Sequence, residues 1–257
     1  VTRVLVTNDD GIDAAGIRRL ATAARDAGLD VVVAAPAAEA SGSSAAIIAV
    51  ERHGRIVVDD RDLPGLDGVP AFAVAGPPAL ITLIATHGAI GPRPDIVLSG
   101  INHGANTGRA ILHSGTVGAA LTAVANGRSA LAVSLDVGLS PREKPHWETA
   151  ARLVVDLLPA VIQAEEPVVF NLNVPDVPLD RLRGVRRGRL ASFGAVQTNV
   201  EIGDGFVRMA LADTAARLEP ETDAAWLAAG YASVTPLNPI CEAGYVTVPS
   251  DIEALAP

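Results

Sequence analysis

The chain has 257 residues, 49 % of them hydrophobic and 3 % aromatic, with a formal charge of −9 and a single cysteine. This is enough apolar material for one large α/β domain, while Cys241 alone excludes an intramolecular disulfide scaffold and is expected to act as a small buried apolar residue. The acidic balance argues against sequence-independent binding of a nucleic-acid polymer, which needs a basic surface to displace counterions.

Residues 4–7 are a short apolar run that reads as a buried strand, and it stops at Asn8-Asp9-Asp10-Gly11. Asn, Asp and Gly are ordinary turn formers. In open α/β sheets, however, the carboxyl end of a strand is where ligands bind, so the acidic pair is either a turn or a cation site. Ile17, Leu20, Ala21 and Ala24 then recur at helical spacing, with Arg18, Arg19, Arg25 and Asp26 on the opposite face and Gly28 as the stop. Residues 30–35 form a second apolar strand, which makes a βαβ unit with a parallel pair.

The small-residue loop 36–44 follows at the carboxyl end of that strand and carries Ser41. Strands are expected at 45–50, 55–59 and 71–75 without helical spacers, as an antiparallel insertion. Pro77-Pro78 opens an apolar helix with His87 near its end in a structural role. Residues 95–99 are another buried strand. They run into a stretch rich in glycine (Gly100, Gly104, Gly108, Gly115, Gly118) and in side-chain donors (Asn102, Asn106, Ser114, Thr116), the composition of an anion-binding nest. A helix over 116–126 places Ser114-Gly115-Thr116 at its N-terminus, where free N–H groups favour phosphate unless Ser114 or Thr116 simply caps the helix.

Residues 130–134 form a strand, 147–161 an amphipathic helix, and 168–174 (V-V-F-N-L-N-V) a strand that closes the regular pattern before Pro175. Beyond it lie a basic strand-like patch (Arg186, Arg187, Arg189), a short helix over 222–229 and a strand over 231–237. The only lysine, Lys144, is in a loop, so the phosphate-binding P-loop with its lysine is absent. Asn-Asp-Asp-Gly occupies the place of a dinucleotide-binding glycine motif. No apolar run reaches the ~18 residues of a membrane span, and Val1 leads directly into a strand pattern without a leader, so a cytoplasmic protein with no membrane partner is expected.

N-D-D-G after the first strand, P-x(4)-S-G after the second, S-G-I-N-x-G-x-N-x-G, S-G-T-V-G-A-A, N-L-N-V-P and T-D before S-V-T-P-L follow one another in order. The chain thereby resembles the SurE family of stationary-phase survival nucleotidases almost from end to end. The resemblance implies a Rossmann-like three-layer αβα core with a mostly parallel sheet, about residues 1–175. It also implies an extended C-terminal hairpin region, about 176–257, through which a single 1–257 domain forms a homodimer or homotetramer. The implied activity is a metal-dependent phosphatase of nucleoside 5′-monophosphates, with 3′-monophosphates or polyphosphate as further substrates. A catalytically weak nucleotide-binding or sensory module is the alternative.

By the same resemblance Asp9, Asp10, Ser41 and Asn102 hold one divalent cation per subunit, Mg²⁺ or Mn²⁺, and Asn106, Ser114, Gly115 and Thr116 contact phosphate. An all-oxygen donor set suits those ions better than Zn²⁺. Asp9 and Asp10 are the catalytic carboxylates, with either Asp9 or a cation-activated water as nucleophile, and His103 or His113 as a source of the leaving-group proton. The sequence departs from the family at Ala40, Ala110, His113 and the G-P-P segment, which bears on substrate preference. With few aromatics to stack a base, broad acceptance of nucleobases is expected.

Overall fold

The computed structural model describes residues 1–48, 51–52, 55–138, 143–192, 196–203, 206–213 and 218–241. The elements, in order, are β1 (Arg3–Thr7), α1 (Ala15–Asp26), β2 (Asp30–Pro36), β3 (Glu51–Arg52), β4 (Arg55–Ile56), β5 (Val58–Asp60), β6 (Ala71–Val74), α2 (Pro78–Thr86) and β7 (Ile96–His103). A 3-10 segment (Gly108–His113) then leads into α3 (Gly115–Ala125), β8 (Ser129–Asp136), α4 (Trp147–Ile162), β9 (Val169–Pro175), β10 (Val185–Arg187), β11 (Val196–Gly203), β12 (Phe206–Asp213), α5 (Asp223–Ala228) and β13 (Ala232–Leu237).

The main sheet has nine strands in the order β10-β13-β9-β8-β7-β1-β2-β6-β5. Its centre is parallel, and only the β13–β9 and β5–β6 pairs are antiparallel. The central strands read as continuous apolar runs because both of their faces are covered. Val4 and Val6 of β1 point into a core shared with Ile17 and Leu20 of α1 and Val154 and Leu158 of α4. Leu5 points the other way, into a core with Ile81 of α2 and Val117, Ala120 and Ala123 of α3. Helices on both faces make the three layers expected of the sequence. Among the described residues no helix is long and apolar enough to cross a membrane.

From β1 the chain passes first to β2 on one side and later to β7 on the other. The carboxyl ends of β1 and β7 therefore border a topological switch point, where the loops diverge and leave a crevice. Asp9 and Asp10 follow Asn8 just past β1, the Ser41 loop follows β2, and Asn102 is the penultimate residue of β7.

Several expectations need correction. Residues 45–48 form no strand, and 49–50 lie outside the described residues. The residue before this segment is tied to the 3-10 turn that leads into α3: Ser44 donates to the Leu112 carbonyl at 2.6 Å. β6 is parallel to β2 and part of the main sheet, with Ala71 and Ala73 in one core and Val74 in the other; only β3–β4 and β5 are antiparallel additions. β7 runs on to His103 past a register shift between Ser99 and Asn102. The main sheet also continues past Pro175, since β13 pairs with β9 and β10 with β13. The β11–β12 hairpin forms a two-stranded sheet of its own. Cys241 is exposed. His87 has the structural part expected, with Nδ1 2.8 Å from the Leu83 carbonyl one helical turn back.

Candidate active site

The turn after β1 is closed by Asn8 alone. Its side chain donates to the Gly11 carbonyl at 3.0 Å and accepts the Gly11 N–H at 3.2 Å, with Asn8 fully buried. Asp9 and Asp10 take no part in that clasp and remain available for other chemistry.

Asp9 is buried and points at the N-terminus of α3. The Thr116 hydroxyl donates to its Oδ1 at 2.5 Å, and the Gly115 and Thr116 N–H groups also reach the carboxylate. Burial raises the Asp9 pKa, and these donors, the Thr116 hydroxyl foremost, work against the rise. Asp10 is lifted to about 6, first by burial and then by the charge of Asp9; the His103 N–H, 3.2 Å from Asp10 Oδ2, opposes the shift, and Glu39 adds to it. The pair thus concentrates negative charge in a partly desolvated place with too few donors to neutralise it.

An open cleft of about 580 Å³ lies in front of this pair. Asp9, Asp10, Ser41, Asn102, Asn106 and Ser114 all line it, together with Glu39, His103, His113 and Trp147. The hydroxyl of Ser41 donates to Glu39 Oε1 at 2.7 Å, which leaves its lone pairs unused by that bond. Asn102 donates its Nδ2 to the Gly104 carbonyl at 2.8 Å, which fixes the amide's orientation and leaves its oxygen as the available donor atom. The β7 irregularity leaves Gly100 and Ile101 out of the register with β8, and Asn102 re-enters the ladder opposite Ser134; such bulges are common beside active sites. Two carboxylates and two neutral oxygens, with uncompensated charge between them, fit a hard divalent cation.

Gly115 and Thr116, expected to contact phosphate, stand at the start of α3 beside the Asp9 carboxylate. Thr116 is fully buried, and its hydroxyl is committed to Asp9. Ser114 caps α3 by accepting the Val117 N–H at 3.1 Å, and the Gly118 N–H goes to the Ser114 carbonyl. The Val117 and Gly118 N–H groups are therefore taken by Ser114, while those of Gly115 and Thr116 lie on the side of the Asp9 carboxylate. Ser114 still lines the cleft with a hydroxyl proton to donate.

One expected outcome follows directly. Thr116→Val should weaken Mn²⁺ affinity about 10- to 100-fold, the usual effect of losing a residue that orients a metal-ligating carboxylate. Vanadate affinity at saturating metal should change far less. Paired titrations of the metal and the anion check this, and a loss confined to vanadate would return Thr116 to the phosphate.

Asn106 is held by a network the sequence did not disclose. Its N–H donates to Asn173 Oδ1 at 2.8 Å and its Nδ2 to Ser134 Oγ at 2.9 Å, while its carbonyl accepts from Nδ2 of both Asn171 and Asn173. Asn171, Asn173 and Ser134 are fully buried. The available signal was two asparagines at i and i+2, on one face of an otherwise apolar strand. Asp223, the acid of the T-D motif, is likewise visible in the sequence without a role. It is fully buried, and its carboxylate accepts the N–H groups of Gly108, Ala191 and Ala224 at 2.8–3.0 Å, which tethers the cleft loop to the C-terminal part.

A family model described as Survival protein SurE matches residues 4–196, a span that contains every cleft residue named above. The chain belongs to the SurE family. It is 38 % identical over 242 residues to the 5′/3′-nucleotidase SurE of Edwardsiella ictaluri, covering 92 % of this chain and 89 % of the relative. It is 35 % identical to the 5′-nucleotidase SurE of Aeromonas hydrophila subsp. hydrophila, covering 92 % of each. The crystal structure of the SurE protein from Aquifex aeolicus superimposes with a TM-score of 0.79 at 28 % identity, over 98 % of this chain and 99 % of that one. Two of the departures from the SurE pattern, Ala110 and His113, line the cleft, so they alter its wall and leave the carboxylate pair untouched.

Proposed function

We propose that this SurE-family chain is a metal-dependent phosphatase of nucleoside monophosphates, 5′ or 3′, using one Mg²⁺ or Mn²⁺ per subunit held by Asp9, Asp10, Ser41 and Asn102. The observation that carries this reading is the cleft itself. Adjacent carboxylates, Asp9 buried and Asp10 half-buried, face the same space as the hydroxyl of Ser114 and the amide of Asn106, at the switch point of a parallel sheet.

A bound divalent cation supplies the positive charge that lets a phosphate dianion approach two carboxylates, and lowers the pKa of water. Asp9 is clamped by Thr116 and the start of α3, so it acts as a fixed orienting carboxylate, which favours water over Asp9 as the nucleophile. Ser114 and Asn106 hold the phosphate oxygens. Asn171 and Asn173 fix the backbone of Asn106 and Ser134 accepts from its Nδ2, so the amide need not be ordered when substrate arrives. His103 and His113 are the cleft imidazoles able to protonate the departing oxygen.

Chelator should abolish phosphate release from a panel of nucleoside monophosphates, and Mg²⁺ or Mn²⁺ should restore it. Full activity in excess chelator would remove the metal from the proposal, and nucleotide binding without turnover would identify a binding module. The C-terminal part, with the β11–β12 hairpin, is proposed to join subunits into a homodimer or homotetramer. A monomer by light scattering at working concentration would contradict that.

A further inference from the structure

The cleft has two chemically different kinds of lining. The carboxylates, Asn106 and Ser114 are among its polar groups, and Ala14, Ala15, Gly16 and the rings of His103 and Trp147 give it apolar and aromatic surface. We propose that Trp147, with His103 beside it, is the wall on which the nucleobase of the substrate stacks. This would make the enzyme selective for nucleotides over phosphate monoesters that carry no base. The inference rests on the nucleotidase reading above and assigns the part of the site that reading leaves open.

Several observations place Trp147 in this role. The chain has only two tryptophans, and this one lines the cleft. Its ring lies against Gly16 of α1, where an added Cβ would come within 3.3 Å of Cζ3 and 2.0 Å of the Ile101 carbonyl oxygen. Glycine there lets α1 approach β7 and the indole closely. The His103 and Trp147 rings are 6.0 Å apart between centroids and tilted by 43°, so they meet as two angled panels. His103 also connects this wall to the acidic pair, since its N–H donates to Asp10. The rings therefore begin beside the carboxylates.

The wall is held rigidly. Trp147 is the first residue of α4, and the preceding His146 is fixed to Asp176 through both its N–H, at 2.7 Å, and its Nδ1, at 2.8 Å. Thr149 donates to the Val177 carbonyl, and Glu148 pairs with Arg19 of α1. An aromatic surface ordered before binding loses little freedom when a base settles on it. Stacking accepts every base because each has a π-face, so wide base tolerance and discrimination against base-free substrates coexist in one device.

The test compares adenosine 5′-monophosphate with ribose 5-phosphate in the presence of Mn²⁺. The parent should favour the nucleotide in kcat/KM. In Trp147→Leu that preference should fall roughly 5- to 150-fold, the range spanned by base–aromatic stacking, with the loss in KM for the nucleotide. Trp147→Phe should keep most of it. An unchanged preference in Trp147→Leu, or an equal loss with both substrates, would overturn the stacking role. A parent that hydrolyses neither compound would instead refute the nucleotidase reading. Should Trp147→Leu not fold, fluorescence of the Trp226→Phe protein decides the matter, since its one remaining indole is Trp147. Adenosine should quench it and ribose should not, and no response to adenosine would overturn the assignment.

Discussion

Asp10→Asn is expected to make the metal-free protein more stable while lowering phosphatase activity on the order of a thousandfold. The two effects share one cause. The Asp10 carboxyl titrates near 6 in the folded chain because burial and the charge of Asp9 penalise its ionised form. A folded pKa above the unfolded 3.8 means that the native state holds the proton more tightly. The associated stability is fully present below pH 4 and is lost as pH rises through 6. At neutral pH the metal-free parent therefore carries a penalty of up to about 3 kcal/mol from this one group.

Asparagine keeps the shape and removes the titration. Melting curves in chelator between pH 4 and 7 should show the parent losing stability with rising pH relative to Asp10→Asn. Added Mn²⁺ stabilises the parent in proportion to its preference for the native state, and that gain should largely vanish in the mutant. Equal metal shifts in both proteins would mean that Asp10 holds no cation.

Gly115→Ala is expected to reduce kcat/KM by at least a hundredfold in a protein that still folds. A Cβ on Gly115 would stand 2.8 Å from both Cβ and Oδ2 of Asp9 and 2.6 Å from Ser43 Oγ. The serine hydroxyl can rotate away. The Asp9 Cβ cannot yield without shifting the backbone at the end of β1, between the Thr116 hydroxyl on one side and the Ala40 N–H that binds the Asp9 carbonyl at 2.7 Å on the other. Displacements of about 1 Å at reacting groups commonly cost a hundredfold in rate. Gly115 does not have a positive φ, so its backbone accepts alanine and the protein should still fold. Parental kinetics and an unchanged Mn²⁺ response in Gly115→Ala would show that α3, and not Asp9, gives way.

The sequence disclosed which residues meet more readily than how they are held. Asp9, Asp10, Ser41 and Asn102 stand at or just beyond the ends of successive parallel strands, and such ends converge in any sheet of this kind, so strand order alone brought them to one cleft. The hydroxyl of Thr116 has two plausible targets at a helix N-terminus, phosphate or a neighbouring carboxylate. Choosing between them required the position of Asp9, 107 residues away. Asn171 and Asn173 were visible as a motif but not as a clamp, because their partner Asn106 lies on a different strand connection. Residues 45–48 look like a strand by composition, yet Ser44 is bonded to Leu112 and the Ser44–Ala45 backbone packs on Gly118 of α3, which directs the chain away from the sheet. Trp147 read as the apolar first residue of an amphipathic helix, and only the packing of α1 against α4 turns it to the cleft.

The return of β13 to the middle of the sheet has a consequence for how the chain is made. β9 is finished at Pro175, but its outer edge is paired only once residues 232–237 have left the ribosome, and β10 has no neighbour until then. The Gly108 N–H in the cleft loop waits equally long for Asp223. A nascent chain that stops at the end of the apparently complete α/β pattern therefore exposes an apolar strand edge and an unfinished catalytic loop. Completion of the cleft thus waits on residues 223–237, and truncations that remove β13 should be recovered as aggregates.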